Sequence, residues 1–164
     1  MNKNLKQNSQ VTGKFITVNN ERFYAINNTN KMAPFFVSVI SNSDHWLFVS
    51  STGGLTAGRV SPETALFPYV TVDKIHESTE HTGSKTLLEV EIDNKTYNWE
   101  PFNRKHDREY SISSHLYKNV LGNKLCFEET NEDLQITFRY TWLTSEVYGF
   151  VRECELINLS DQTV

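Results

Sequence analysis

The chain has 164 residues, of which 12% are aromatic and 22% are charged, and its formal net charge is −4. This composition is typical of one globular domain with a sizeable core and excludes a disordered chain. The acidic balance offers no basic surface for a polyanion, so nucleic acid is not an expected partner.

The N-terminus begins with a polar stretch, MNKNLKQNSQ, that lacks the hydrophobic core of an export signal. No apolar run approaches the roughly 20 residues that a membrane helix needs. We therefore expect a cytoplasmic protein without membrane contact, with residues 1–12 as a polar lead-in and residues 13–164 as a single domain.

Two hairpins are predicted in the first third of the chain. Residues 14–18 and 21–26 flank Asn19-Asn20, a pair that tolerates the positive φ of a two-residue turn. Aromatic and β-branched runs at residues 35–41 and 45–50 flank a polar turn at residues 42–44.

The second hairpin leads into a segment that predicts a long surface loop, from Gly53 to Tyr69. Loops of this length in compact domains are usually functional, and this one holds too much Leu, Phe and Tyr to be disordered. A strand is predicted after it, beginning at residues 67–69 and ending at residues 75–77. The glycine and polar residues of the predicted loop include Gly53, Gly54, Thr56, Gly58, Arg59 and Glu63.

The remaining segments also have β character. Residues 87–93 and 96–99 predict a hairpin, residues 109–116 a less regular strand, and residues 124–129 a partner for the most regular strand of the chain. In that strand, an apolar residue stands at every second position: Leu134, Ile136, Phe138, Tyr140 and Trp142. A last strand is predicted over residues 148–157. Nine or ten short strands without a helical period indicate an all-β, antiparallel twisted β-sandwich, although a closed barrel is also compatible with the pattern.

The sequence GGLTAGR, followed by ALFPY and VDKI, resembles the N-terminal segment of cellobiose-phosphorylase-type glycoside hydrolases and phosphorylases. The C-terminal run YGFVRECELINLSDQTV is similar to a strand of the same domain, and the resemblance covers residues 13–164. It implies a galactose-mutarotase-like supersandwich, followed in the family by an (α/α)6 catalytic barrel. The last residues have the composition of a turn entering another strand, so we expect a truncated N-terminal part of a larger multidomain enzyme.

The resemblance implies that the general acid and the phosphate site belong to the barrel, so no catalytic residue and no cofactor is expected here. The residues themselves agree: the carboxylates near the predicted loop form no recognisable acid/base pair, and the five histidines lack metal-ligand spacing. Cys126 and Cys154 are interpreted as buried strand residues rather than as a disulfide framework.

The candidate substrate-binding residues lie in or beside the predicted loop. Arg59 follows Gly58 and could fork across sugar hydroxyls, a phosphate or a carboxylate, but an ion pair with Glu63 is an equally open interpretation. Trp46 and Tyr69 could stack on pyranose rings, and Trp99 has the same chemistry, whereas Trp142 is assigned to the core. The full candidate set is Arg59, Thr56, Tyr69, Trp46 and Glu63, with Gly53, Gly54 and Gly58 as the loop glycines.

Three hypotheses of function follow. The first is an accessory carbohydrate-binding domain whose loop helps to form the substrate pocket of a glycoside phosphorylase or hydrolase, with an oligo- or polysaccharide and the (α/α)6 domain as partners. The second is a free-standing carbohydrate-binding module. The third is a structural sandwich that mediates assembly.

Overall fold

The computed structural model describes residues 10–67 and 69–161. Most of the predicted lead-in and the last three residues lie outside the described residues. The described part holds eleven strands: β1 Thr12–Val18, β2 Glu21–Asn27, β3 Phe36–Val39, β4 His45–Ser50, β5 Leu55–Arg59, β6 Leu88–Ile92, β7 Lys95–Trp99, β8 Ile112–Asn119, β9 Lys124–Asn131, β10 Ile136–Ser145 and β11 Gly149–Asn158.

One layer of the fold is a six-stranded antiparallel sheet in the order β1-β2-β8-β9-β10-β11. Its first hairpin turns at Asn19 and Asn20, whose φ angles of 48° and 64° confirm the predicted two-residue turn. β1 and β11 are its two edges, so the sheet does not close into a barrel within the described residues.

The second layer consists of the antiparallel sheet β3-β4-β5 and the hairpin β6-β7. Alternate residues of these strands meet the apolar face of the large sheet, and the all-β sandwich-like architecture predicted from the sequence is confirmed. The shared core includes Val49 and Leu55 from the small sheet, Trp99 from the hairpin, and Leu125, Ile136 and Phe138 from the large sheet.

The predicted loop over residues 53–69 is wrong in its first part. Residues 51–54 form only a tight turn, and β5 then pairs with β4 in full register. The sequence signal for strand β5 was weak because Ala57 and Gly58 have low strand propensity. In the structure, Leu55 and Ala57, two positions apart, both contact the core. The part of the loop that remains runs from Val60 to Tyr69 and includes a 3₁₀ turn, Pro62–Thr64.

The strand predicted to begin at residues 67–69 is also wrong, because helix α1, Val72–Ile75, and helix α2, Thr79–Thr82, occupy this region. The Thr71 hydroxyl and the backbone N–H of Asp73 bond the Asp73 carboxylate and lower its pKa. These local hydrogen bonds compete with a strand ladder at the N-terminus of a helix. The cysteine interpretation holds for Cys126, which is buried, but not for Cys154, which is exposed on β11.

In the described part of the chain, neither short helix nor any other helix has the length and apolar character to cross a membrane.

Candidate functional site

At each of the three glycines of the predicted loop, backbone conformation or a close contact explains why a side chain is disfavoured. Gly53 adopts a φ of 94° in the turn between β4 and β5, a conformation that side-chain-bearing residues rarely take. A Cβ on Gly54 would lie 2.4 Å from the carbonyl oxygen of Ile75, and one on Gly58 would lie 2.4 Å from Cζ2 of Trp46. Gly54 therefore lets α1 approach the turn, and Gly58 makes room for an indole ring.

Four aromatic side chains form a row on the outer face of the small sheet, which we call the aromatic row: Phe36, Phe48, Trp46 and Tyr69. Trp46 and Phe48 alternate with core residues along β4, and Phe48 lies opposite Ser38, two residues from Phe36. Neighbouring ring centroids are separated by 5.2 Å, 5.9 Å and 6.1 Å in that order. The structure thus brings together Trp46 and Tyr69, two of the residues that the sequence singled out, and leaves Tyr69 53% exposed.

Arg59 lies at the end of β5 opposite His45, so its exposed side chain belongs to the strand face of Leu55 and Ala57 rather than to the face of the aromatic row. No ion pair joins it to Glu63 or to any other acidic residue in the described part of the chain. Glu63 is instead held by the Ser61 hydroxyl and by its own backbone N–H, which lower the pKa of its carboxyl group. Arg59 is therefore available to a ligand, and Glu63 is an exposed carboxylate on the neighbouring 3₁₀ turn.

The residue after Arg59 is strained. Val60 has a φ of 61°, which is an outlier for a β-branched side chain, and it is 76% exposed. Its N–H donates to the carbonyl of Asp44 at 2.8 Å, so the strained conformation is fixed by the adjacent strand. Strain of this kind concentrates at functional surfaces.

Two other sequence candidates do not reach the surface. Thr56 is 1% exposed in the middle of β5 rather than on a loop, so it cannot contact an external ligand directly. Trp99 is equally buried in the core, which removes it from the candidates for sugar stacking. Trp142 packs against the core cluster, as predicted.

A second candidate site lies where the small helices meet the large sheet, and we call it the Glu129 pocket. It is a cavity of about 380 Å³ lined by residues including Asn30, Thr52, His76, Thr79, Phe102, Ser114 and Glu129. Glu129 is 4% exposed and accepts hydrogen bonds from the Phe102 N–H at 2.7 Å and from the Ser114 hydroxyl at 2.8 Å. Burial raises the pKa of Glu129 to about 7 against the opposing effect of these two donors, and Asp107 adds to the increase.

A chain of hydroxyl groups runs from the buried Ser50 to Thr52 and Thr79, which line this pocket. The Ser50 hydroxyl lies 2.7 Å from Nδ1 of His76 and 2.7 Å from the Thr52 hydroxyl, which is 2.9 Å from the Thr79 hydroxyl. Ser50 is fully buried, so the Ser50–His76 pair is not an accessible nucleophile and base. Its role is to fix the His76 ring at the pocket.

A third cavity, of about 510 Å³, lies on the outer face of the large sheet. Glu128 accepts there from the Tyr117 hydroxyl at 2.6 Å and from Nε of Arg139 at 2.8 Å, and Arg139 also donates to Glu155 at 2.6 Å. Lys124 also pairs with Glu21 at 2.7 Å, so every charged group that lines this groove except Glu153 belongs to an ion pair among the described residues, as in a structural ion-pair network.

Sequence reasoning missed Glu129, although a signal was present. Leu125, Phe127 and Glu129 stand at alternate positions of one strand, so an acidic residue follows two apolar ones on the core face. The contacts of Glu129 with Phe102 and Ser114, and the place of His76 in the same pocket, had no sequence signal, because they join segments that are far apart in the chain.

No family model matches the chain, and no curated protein matches it in a sequence search. Within the described residues, no three side chains of the metal-ligating types converge on one point.

Proposed function

We propose that this chain is an accessory carbohydrate-binding β-sandwich domain of a glycoside phosphorylase or hydrolase. Its sugar-binding surface is the aromatic row together with Arg59, and its partners are an oligo- or polysaccharide and an (α/α)6 catalytic domain. The resemblance of GGLTAGR and ALFPY to cellobiose-phosphorylase-type enzymes motivates the enzyme class.

The observation that carries the proposal is the contact of Trp46 with Tyr69 and Phe48 on an outer sheet face. Aromatic rings offer flat apolar surfaces that match the C–H face of a pyranose, and polar neighbours can bond the hydroxyls. Adjacent rings supply several such surfaces along one line, which suits a chain of sugar units better than a single ring.

Arg59, exposed at the last position of β5, adds a polar group at the edge of this surface. Its guanidinium presents up to five donors in a fixed fork and can bond two neighbouring hydroxyl oxygens at once. Because Val60 holds the backbone beside it in a strained conformation, the direction of the chain after Arg59 is fixed rather than variable.

Exposed apolar side chains next to the row favour a contact with another domain on the same side. Val60, Leu66 and Phe67 are 76%, 65% and 39% exposed, and such a cluster beside a polar rim is typical of an interaction surface. A sugar chain held between this face and a catalytic domain would explain both features. A free-standing carbohydrate-binding module would use the same row without that second contact, whereas a structural assembly domain would use the apolar cluster without a sugar.

The test is retention of the purified chain in native gels that contain soluble β-glucan, mannan or xylan. We expect at least one polysaccharide to slow the wild-type chain and Trp46→Ala to abolish the retardation. Tyr24→Ala is the matched control, because Tyr24 is 42% exposed on β2 of the large sheet, the layer that does not carry the row. Unchanged mobility of the wild-type chain in all gels would contradict the proposal, as would equal losses in both variants.

A further inference from the structure

The Glu129 pocket is built from segments that are far apart in the sequence. A 3₁₀ turn, Thr29–Lys31, contributes Asn30, the β4–β5 turn contributes Thr52, and the two short helices contribute His76 and Thr79. These meet Ser114 and Glu129 of the large sheet around a cavity of about 380 Å³, which is within the size range of small-molecule sites.

The polar groups of the pocket retain unused hydrogen-bonding capacity. The Glu129 carboxyl group has about four acceptor positions. The Phe102 N–H and the Ser114 hydroxyl take two of them and the Trp99 indole interacts with the same group, which leaves capacity for about one further bond. The His76 ring is engaged through Nδ1, and its Nε2 has no partner within the described residues. The buried Oδ1 atom of Asn30 likewise has no hydrogen-bond partner there. The pocket thus offers both donors and acceptors to a ligand.

The walls of the pocket combine these groups with aromatic rings. Phe102 and Phe127 line it, with ring centroids 6.1 Å apart, so an apolar surface lies beside the carboxyl group of Glu129. Phe102 adopts a φ of 68°, and its N–H is bonded by Glu129. A non-glycine residue in this region carries strain that the surrounding structure must hold, and such strain clusters at binding sites.

The charges at the pocket favour a neutral ligand. Arg104 and Lys105 lie on its lining together with Glu77, Glu80 and Asp107, so neither sign dominates the rim. Inside the pocket, burial disfavours the ionised form of Glu129. An uncharged hydroxyl is therefore a better partner for this carboxyl group than an anionic ligand group.

We propose that the Glu129 pocket binds a single neutral pyranose, with its hydroxyls on Glu129, His76 and Asn30 and a C–H face against Phe102. This site is separate from the aromatic row, which lies on the outer face of the small sheet. It extends the proposed function from the binding of a sugar chain to the recognition of one sugar unit.

The test is an NMR titration of the ¹⁵N-labelled chain with glucose, galactose, mannose and xylose. We expect at least one of them to shift the amide signals of Phe102, Thr52 and Thr79 in a saturable manner. Asn30→Ala removes the amide whose buried Oδ1 is proposed to bond a sugar hydroxyl, and Glu129→Gln keeps the shape of the side chain but replaces one carboxyl oxygen with an NH₂ group. Each variant should weaken binding by about tenfold, the effect of losing one well-placed hydrogen bond.

Trp46→Ala serves as the control in this titration, since it alters the aromatic row only and should leave monosaccharide binding unchanged. The same control separates this inference from the proposed function, because a chain that is retained by polysaccharide but shows no shift around Phe102 would overturn the pocket alone. Shifts confined to the aromatic row, or wild-type affinity in both pocket variants, would also overturn it. If Glu129→Gln fails to fold, as judged from its amide spectrum, the result for Asn30→Ala decides between the two outcomes.

Discussion

Val60 carries backbone strain on the proposed sugar-binding surface. Replacement by glycine removes the conflict between a β-branched side chain and a φ of 61°. Although glycine also gains entropy in the unfolded chain, we expect Val60→Gly to raise the free energy of unfolding by roughly 1 kcal/mol.

Chemical denaturation would measure this change. Val147 is a matched control, because it is 82% exposed and is not among the residues with positive φ. Val147→Gly should lower the stability slightly or leave it unchanged. A loss of stability in Val60→Gly would mean that the valine side chain makes contacts that outweigh the strain.

Glu129 gives the protein a specific dependence of stability on pH. Its pKa is about 7 in the folded chain and has an ordinary value near 4.5 when exposed. Between these values the folded state binds more protons than the unfolded state, so stability falls as the pH rises. The contribution is complete below about pH 4.5 and is lost by about pH 8, with a total change on the order of 3 kcal/mol.

The side chain of Glu129→Gln cannot ionise, so the free energy of unfolding of this variant should not show the fall with pH that is due to Glu129. Between about pH 4.5 and about pH 8 the variant should therefore lose less stability than the wild type. Unfolding curves recorded across the pH range would show it. The exposed strand residue Glu89 offers a control, since Glu89→Gln should keep the wild-type slope. Parallel pH profiles for the wild type and Glu129→Gln would contradict the assignment of a buried, neutral carboxyl group.

At the scale of single elements, the alternating apolar residues of β10 are the ones that pack in the core. Phe138 is 4% exposed and packs near Phe102 and Tyr140, so Phe138→Ala should cost about 3 to 5 kcal/mol. Thr137 points to the opposite face, where it is also buried, at 6% exposure, and shares a hydrogen bond of 2.8 Å with Thr130, so Thr137→Ala should cost about 1 to 2 kcal/mol, less than Phe138→Ala. Urea unfolding of both variants gives the comparison, and equal losses would mean that the alternation has been assigned to the wrong faces.

Alternation and turn residues made the β1–β2 and β6–β7 hairpins predictable, because their turns are Asn19-Asn20 and Asp93-Asn94, which adopt positive φ. β5 was missed since its small residues serve the packing of Trp46 rather than strand propensity. The first short helix, α1, was missed because local hydrogen bonds around Asp73 favour a helix start there, whereas the apolar residues nearby suggested a strand.

The candidate site was predictable to a smaller extent. Trp46 and Tyr69 were chosen for their chemistry, and the fold brings them together. By contrast, the conclusion that Thr56 is buried depended on the register of β5 with β4, which the sequence did not reveal. Contacts between distant segments, as in the Glu129 pocket, follow from the packing of two layers and have no local pattern.

At the scale of the whole molecule, we expect the isolated chain to bind sugar without cleaving it. Incubation with cellobiose or other β-glucosides, with and without phosphate, should release no sugar product. The expectation follows from the resemblance, in which the general acid belongs to the barrel domain. Turnover that disappears in Glu63→Gln or Asp73→Asn would contradict the interpretation as an accessory domain.

The most direct test of sugar binding at the aromatic row uses the indole N–H signals of the three tryptophans. Trp46 belongs to the row, Trp99 is buried in the core, and Trp142 packs against the core cluster, so each signal reports on a different place. During titration with β-linked gluco-, manno- or xylo-oligosaccharides, we expect the Trp46 signal to shift with saturation while the Trp99 signal stays fixed. Arg59→Ala should weaken that binding without changing the melting temperature. A Trp46 signal that stays fixed with every oligosaccharide would contradict the central claim.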